Sequence, residues 1–167
     1  MKSSTPHPSM RGTFFWHLYD EMAKNKDIVI LTGDLGFGQF DAIREDFPKQ
    51  FFNCNASEQA MMGVAVGLAL SGKTVFVYSI TPFLLRRPYE TIKLYLDGEK
   101  IPVKLIGGGR DSDYEKDGPS HEASDDLTIM NNFPNINAHW PVRNEELPEL
   151  IHKVINSGQP EYINLKR

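Results

Sequence analysis

Short apolar runs alternate along the chain with longer segments whose apolar residues recur every three or four positions. The runs are typical of buried strands and cover residues 27–34 (DIVILTGD), 50–55, 73–80, 101–109, 135–141 and 161–167. The longer segments predict helices over residues 10–25, 37–48, 56–70, 86–98, 123–134 and 144–158. This alternation predicts an α/β fold, a three-layer αβα sandwich with a mostly parallel, roughly six-stranded sheet.

The composition indicates one domain over residues 1–167, and we expect residues 1–10 to be a disordered tail. Of the 167 residues, 40% are hydrophobic and 24% are charged, as in ordinary soluble proteins. The formal net charge of -4 gives no reason to expect nucleic acid or a membrane surface as a partner. With a single cysteine, Cys54, and no apolar run of membrane-spanning length, the sequence favours a cytoplasmic protein.

Three loops follow predicted strands at the edge of the sheet where α/β proteins bind ligands. They cover residues 32–40 (TGDLGFGQF), 79–87 (SITPFLLRR) and 107–122 (GGGRDSDYEKDGPSHE). The last is expected to lack regular structure, and its length makes it a candidate functional loop. The segment GDLGFG is not a dinucleotide-binding fingerprint, and the histidines lack zinc-type spacing. We therefore expect no metal site built by this chain alone.

Glu58 is the one acid ahead of the small and apolar run AMMGVAVGLALSG, and it has two interpretations. With Asn55 as N-cap, Glu58 falls at N3 of a capping-box variant that stabilises a helix by roughly 1 kcal/mol. However, Gly63 and Gly67 lie on one face of the same helix, and each glycine costs a helix roughly 1 kcal/mol relative to alanine. Close packing against a neighbouring helix would compensate for that cost. Such a helix can hold a carboxylate rigidly at an interface.

Three segments, in this order, resemble the pyrimidine-binding domain of the transketolase-like thiamine diphosphate enzymes. They are ASEQAMMGVAVGLALSG, VFVYSITPFLLRRPYETI and DGPSHEASDDLTIMNNFPNI. The family includes transketolase, deoxyxylulose-5-phosphate synthase and the β-chains of 2-oxoacid dehydrogenase E1 components. The resemblance extends from about Ile28 to the C-terminus.

The resemblance implies a cofactor site for thiamine diphosphate. Glu58 matches the glutamate that hydrogen-bonds N1′ of the aminopyrimidine and so promotes formation of the thiazolium ylid. Phe83 matches the aromatic residue that packs against the pyrimidine, although core packing fits Phe83 equally well. Asp34, Ala56 and Tyr78 complete the implied cofactor set. Asp34 is equally well explained as a turn aspartate.

The resemblance also implies residues that contact the substrate. His121, in GPSHE, matches a histidine that lies over the reacting carbons and acts in catalysis. Either Arg86 or Arg87 matches an arginine of the synthase and would bind an anionic substrate group. Counting from Phe83 favours Arg86, whereas the RPYE motif favours Arg87.

The G-D-G motif that binds the diphosphate and Mg²⁺ in this family is absent, because Leu35 follows Gly33 and Asp34. The resemblance therefore implies a second subunit that carries the diphosphate-binding domain, in a heteromer of α2β2 type with the Glu58 helix at the interface. The expected activity is that of a transketolase-like transferase that cleaves and forms C–C bonds, with a sugar phosphate or a 2-oxoacid as substrate. Glu122 replaces the usual glutamine after the histidine, so two alternatives stay open. They are a two-chain 2-oxoacid decarboxylase or dehydrogenase E1 component, and a non-catalytic α/β interaction domain.

Overall fold

The sheet of the computed structural model has six strands, all parallel, in the order β2-β1-β3-β4-β6-β5. The structure describes residues 2–36 and 38–167. The strands are β1 (Ile28–Thr32), β2 (Phe51–Asn53), β3 (Thr74–Ile80), β4 (Lys104–Gly108), β5 (Asn137–His139) and β6 (Glu161–Leu165). The predicted α/β fold is confirmed. Because β2 adds to one side of β1 and β3 to the other, the strand order reverses between β1 and β3, where α/β sheets bind ligands.

Seven α-helices of the described residues cover the sheet. They are α1 (Met10–Lys24), α2 (Asp41–Asp46), α3 (Glu58–Leu70), α4 (Thr81–Arg86), α5 (Tyr89–Thr91), α6 (Asp126–Met130) and α7 (Leu147–Asn156). The helix α5 continues directly into a π-helical segment, Ile92–Gly98. Phe37, where the sequence predicts that the second helix begins, lies outside the described residues.

Two hydrophobic cores lie on the two faces of the sheet. The first packs α1, α2 and α7 against the strands and includes Phe14, Phe15, Ile43, Tyr78 and Ile151. The second packs α3, α4, the π-helical segment and α6, and includes Met61, Val77, Leu84, Leu96 and Met130. Successive side chains of a strand point to opposite faces, so the neighbours Val77 and Tyr78 fall in different cores. The predicted three-layer arrangement follows from these two cores.

Residues 2–9 lie along α1. The indole nitrogen Nε1 of Trp16 donates to the carbonyl oxygen of Ser3 at 3.0 Å, and Thr13 Oγ1 donates to the carbonyl oxygen of His7 at 3.1 Å. Ser9 is the N-cap of α1, and its hydroxyl accepts a hydrogen bond from the backbone of Gly12. The disorder expected for residues 1–10 stays a prediction.

The predicted capping box at the start of α3 is wrong. The helix begins at Glu58 itself, its N-cap is Ser57, and no side chain caps it by a hydrogen bond. Asn55 instead adopts a left-handed conformation with φ of 55°, and its backbone N–H donates to Asn53 Oδ1 at 2.9 Å. Asn readily adopts the left-handed conformation and accepts local hydrogen bonds in turns. Asn55 therefore lies in a turn before α3 and is not the N-cap of this helix.

The loop predicted over residues 79–87 contains the helix α4, and the helix predicted over 86–98 is interrupted between Arg86, where α4 ends, and Tyr89, where α5 begins. Pro82 stands in the first turn of α4, where its missing N–H costs nothing. Pro88 then separates α4 from α5, since proline cannot donate the next helical hydrogen bond. The loop over 107–122 also contains short 3₁₀ turns, Glu115–Asp117 and Pro119–His121.

Candidate active site

Glu58 lies at the carboxyl end of the sheet, beside the ends of β1 and β3 where the strand order reverses. As the first residue of α3, its carboxylate is favourably placed near the positive end of the helix dipole. The side chain is only 1% exposed. A buried carboxylate is costly unless its oxygens are paired, so its partners define the site.

Each oxygen of Glu58 has a different partner. The hydroxyl of Ser79, which is fully buried, donates to Oε1 at 2.9 Å. Arg87 Nη1 donates to Oε2 at 2.5 Å, and the arginine side chain is 43% exposed. The backbone of Gly33 borders the same carboxylate, since a Cβ atom at that position would lie 3.2 Å from both Glu58 Oε1 and Ser79 Oγ. Oε1 is therefore held by a buried partner, while Oε2 is held by a partly exposed one.

Phe83 joins Glu58 to His121. The guanidinium carbon of Arg87 lies 3.8 Å from the centroid of the Phe83 ring, a cation–π contact. On the same ring, His121 packs edge-to-face, with centroids 4.8 Å apart and an interplanar angle of 69°. The structure thus brings four of the residues singled out in the sequence, Glu58, Phe83, Arg87 and His121, into one chain of contacts.

The two neighbouring arginines have different partners. Arg86 points away from Glu58 and donates from Nη2 to Asp125 Oδ1 at 2.7 Å and to the carbonyl oxygen of Glu122 at 3.1 Å. These bonds tie α4 to the segment that follows His121. Arg87, in contrast, contacts the carboxylate of Glu58.

The loop that carries His121 is fixed at both of its ends. Asp111 and Ala123 form an antiparallel bridge across its base. Arg110, which is buried, donates to the backbone oxygens of Pro141 and Asn164. His121 itself is half-buried, and its Nδ1 lies 3.0 Å from Ser120 Oγ. These contacts anchor the long loop and hold His121 against the ring of Phe83.

Asp34 and Ala56 lie on the loops beside Glu58. Asp34 adopts a left-handed conformation with φ of 58°. It exchanges two hydrogen bonds with Asn53, from the backbone N of Asp34 to Asn53 Oδ1 at 3.1 Å and from Asn53 Nδ2 to Asp34 Oδ1 at 2.9 Å. Asn53 thereby joins the loop after β1 to the loop before α3. Ala56 is exposed and stands two residues before Glu58.

Tyr78 lies on the other face of the sheet, away from Glu58. Its ring packs against Phe15 and Phe40, with centroids 4.9 Å and 5.5 Å apart. Burial raises the pKa of the Tyr78 hydroxyl to about 12. Among the described residues, the site around Glu58 and the aromatic cluster around Tyr78 are therefore separate.

Among residues 2–36 and 38–167, no group of three or more His, Cys, Asp or Glu side chains could hold a metal ion. No helix in these ranges is long and apolar enough to cross a membrane.

Ser79 and Gly33 were missed by the sequence analysis. A signal for Ser79 was present, because it is the polar residue that falls on the same face of β3 as the buried Val75 and Val77. A polar side chain in a buried strand face needs a partner, which here is Glu58. Gly33 gave no comparable signal, since a glycine after a strand is also an ordinary turn residue.

Comparison with known proteins identifies the family of this chain. Residues 7–167 match the family model for the transketolase pyrimidine binding domain. A putative transketolase C-terminal section from Methanocaldococcus jannaschii is 30% identical over 168 residues, covering 100% of this chain and 53% of that protein. One subunit of the apulose-4-phosphate transketolase from Phocaeicola vulgatus is 29% identical over 161 residues, covering 94% of this chain and 51% of that protein. The chain spans about half the length of these curated relatives.

Solved structures agree with the sequence comparison. A split gene transketolase, described as an inactive beta4 tetramer, is 29% identical and superposes with a TM-score of 0.83 over 95% of this chain and 51% of its own. Transketolase from Leishmania mexicana superposes with a TM-score of 0.84 over 98% of this chain, at 15% identity, which shows the fold alone. Since the family model covers nearly the whole chain, the protein belongs to the transketolase pyrimidine-binding domain family.

Proposed function

We propose that this chain binds the aminopyrimidine ring of thiamine diphosphate as one subunit of a transketolase-like enzyme, with Glu58 as the residue that hydrogen-bonds N1′. The observation that carries the proposal is the unequal environment of the two carboxylate oxygens. Oε1 is held by Ser79 in the interior, whereas Oε2 faces the partly exposed Arg87. One oxygen is thus fixed, and the other can exchange its partner.

The residues around Glu58 fit an aminopyrimidine. The ring nitrogen of such a group needs one carboxyl oxygen, and its flat face needs an apolar surface. Glu58 supplies the oxygen, and the half-buried ring of Phe83 supplies the surface beside it. When bound, thiamine diphosphate supplies a carbon nucleophile and an electron sink for cleaving and forming C–C bonds. The chain's own part is to bind the pyrimidine and to control a proton at N1′ through Glu58.

Arg87 contacts both groups that the pyrimidine would use, Oε2 of Glu58 and the ring of Phe83. Arg87 must therefore give up its contact with Oε2 when N1′ takes that position. Its exposed side chain allows this movement, and a guanidinium is well suited to a carboxylate or phosphate of the substrate. Because Arg86 is already paired with Asp125, we assign substrate binding to Arg87.

His121 packs edge-to-face on Phe83, the ring that also contacts Arg87, and is half-buried. An imidazole there can donate to or accept from a substrate hydroxyl or carbonyl. We propose that His121 contacts the reacting part of the substrate. Asp34 and Ala56, on the loops beside Glu58, are proposed to border the cofactor.

A second subunit is proposed to bring the diphosphate and its Mg²⁺, in an α2β2 assembly. The relatives that cover this chain are described as a C-terminal section and as one subunit of a transketolase, which supports a divided enzyme.

The outer face of α3 also supports a second subunit. A Cβ atom at Gly63 or Gly67 would meet no heavy atom within 4 Å, and Val64 is 50% exposed. Within the described residues no helix packs on these glycines, and we propose that a partner subunit supplies the packing expected for them.

The proposed reaction is ketol transfer between sugar phosphates, by a cytoplasmic enzyme. Relatives named as apulose-4-phosphate and 6-deoxy-6-sulfo-D-fructose transketolase subunits favour it over 2-oxoacid decarboxylation. These names describe the relatives. For this chain they suggest one class of donor, a ketose that carries an anionic group.

The test is turnover by this chain reconstituted with the partner that carries the G-D-G domain. We expect activity that depends on thiamine diphosphate and on both chains, with ketose phosphates as donors. Turnover of 2-oxoacids with no transfer from ketose phosphates would replace the reaction class by that of a decarboxylase or dehydrogenase component. Cofactor-dependent activity of the partner without this chain would refute the catalytic role and leave an interaction domain.

A further inference from the structure

Ser79 interrupts an otherwise apolar strand face. It stands near the end of β3, on the face that also carries the buried Val75 and Val77, and its side chain is fully buried. An unpaired hydroxyl in such a place would destabilise the fold. Its hydrogen bond to Glu58 Oε1, at 2.9 Å, links this residue of the sheet to the first residue of α3, 21 positions away.

Gly33 closes the other side of Oε1. Its backbone N donates to the carbonyl oxygen of Tyr78 at 3.1 Å, which fixes it to β3. A Cβ atom here would lie 3.2 Å from both Glu58 Oε1 and Ser79 Oγ, closer than ordinary van der Waals contact. The absence of a side chain at Gly33 thus leaves space for the hydrogen bond between Ser79 and Glu58.

The two oxygens of an isolated carboxylate share its charge equally and are equivalent, and the terminal torsion of glutamate is broad and roughly two-fold. Ser79 removes this equivalence by donating its one proton to Oε1. We infer that Ser79 is a positioning residue, which fixes Oε1 so that Glu58 presents Oε2 to the ring nitrogen of the cofactor. The inference rests on the proposed function and adds a residue to it.

One consequence can be observed in this chain without the cofactor. In the Ser79→Ala variant Oε1 loses its donor, and Arg87 is the neighbouring group with N–H groups to spare. A crystal structure of that variant is expected to show the carboxylate turned, with both oxygens bound by the guanidinium in the bidentate geometry that arginine favours. An unchanged carboxylate, still meeting Arg87 through Oε2 alone, would overturn the inference.

The second consequence concerns activation of the cofactor in the reconstituted pair. We expect Ser79→Ala to slow deuterium exchange at the thiazolium C2 proton about tenfold, as expected for loss of one hydrogen bond of roughly 1.4 kcal/mol. The substrate KM should stay unchanged, and Kd for thiamine diphosphate should rise only a few-fold. Ser79→Thr, which keeps the hydroxyl, should restore the exchange rate.

Two further variants complete the test. Gly33→Ala should slow exchange as Ser79→Ala does, because its methyl group crowds Oε1. Ser157→Ala removes a hydroxyl that bonds Lys104 at the opposite end of the sheet, and should leave exchange unchanged. If Glu58→Gln abolishes exchange while Ser79→Ala leaves it at the parent rate, the positioning role is wrong and the proposed function stands. If Glu58→Gln exchanges normally, the proposed function itself fails.

Discussion

Arg87 Nη1 lies 2.5 Å from Glu58 Oε2, while the same guanidinium lies 3.8 Å from the centroid of the Phe83 ring. A half-exposed cation therefore meets a buried carboxylate and an aromatic face at once. These are the two surfaces that a flat, weakly basic heterocycle would need. The contact explains how a buried carboxylate is tolerated at the edge of the sheet, and it identifies the arginine that must move if Glu58 binds a cofactor.

Replacing the two arginines separately tests which of them serves the substrate. In the reconstituted pair, Arg87→Met should raise KM for an anionic donor about tenfold or more, since hydrogen bonds to charged groups contribute about 1.5–3 kcal/mol. Arg86→Met is the matched control. The side chains of Arg86 and Asp125 are 40% and 46% exposed, so we expect a loss of at most about 1 kcal/mol of stability and little change in KM. The reverse pattern of KM values would transfer the role to Arg86.

Glu58→Gln tests the carboxylate without removing its packing. Ser79 can still donate to the amide oxygen, and the half-exposed Arg87 can turn toward solvent, away from the amide NH₂ group. The midpoint of thermal unfolding should therefore change little. Turnover of the pair should fall at least about 10²-fold, the smaller end of what a positioned proton-transfer group contributes. Glu149→Gln, at an exposed position of α7, serves as the control and should retain activity. A Glu58→Gln pair that keeps its turnover would refute the catalytic assignment.

Gly67→Ala separates the stability of the chain from its assembly. Because the new methyl group meets open space, the chain alone should gain about 0.5–1 kcal/mol in free energy of unfolding from the better helix former. If the face of α3 packs closely on a partner, the same methyl should raise Kd of the complex about tenfold, as overpacking does. Sedimentation of the variant with the partner measures this second effect.

Lys153→Ala, at an exposed site of α7 on the other face of the sheet, is the control for assembly. It should leave Kd of the complex unchanged. Equal affinity of the parent and Gly67→Ala for the partner would remove α3 from the interface.

Lys104 lies at the end of the sheet remote from Glu58, and its environment predicts that the free energy of unfolding depends on pH. Burial lowers the pKa of the Lys104 ammonium to about 8, and the nearby carboxylate of Glu161 only partly offsets this. The unfolded chain, with a lysine pKa near 10.5, binds the proton more tightly than the folded chain between these values. The free energy of unfolding should therefore rise with pH in this window, by about 1–3 kcal/mol from this residue.

Urea unfolding of the parent and of Lys104→Met across this pH range isolates the effect. Tyr19 and Tyr78, whose pKa values are raised, are present in both proteins and cancel in the difference. The parent should gain stability relative to the variant as pH rises. A constant difference between the two proteins would show that Lys104 titrates normally in the folded chain.

Much of the fold follows from the sequence because the strands are continuous β-branched and aromatic runs, such as TVFVYSI in β3. The helix α4 was missed because its one apolar turn is preceded by Ser-Ile-Thr-Pro, which is equally typical of a loop. The π-helical segment Ile92–Gly98 was also missed. It contains the buried Asp97, which binds Lys93 and the backbone of Asn135, contacts that the regular helical pattern does not indicate.

The residues around Glu58 in the sequence indicate that it is a candidate site residue. They do not indicate which side chains contact its carboxylate. Ser79 and Arg87 are 21 and 29 positions away, and only the parallel pairing of β1 with β3 and the course of α4 bring them to the carboxylate. Arg86 and Arg87 are neighbours at the end of α4, and the direction in which each side chain leaves the helix decides which of them contacts Glu58. The resemblance groups Tyr78 with the cofactor site, yet strand alternation directs its side chain to the opposite core.

The most direct measurement is calorimetric titration of thiamine diphosphate, with Mg²⁺ present, into this chain, into the partner with the G-D-G domain, and into the pair. If Glu58 and Phe83 complete the cofactor site across the interface, the pair should bind at least about tenfold more tightly than the partner alone, a difference of about 1.4 kcal/mol. The chain alone should bind weakly, because the diphosphate site is proposed to lie on the partner. A pair that binds the cofactor no better than the partner alone would contradict the account.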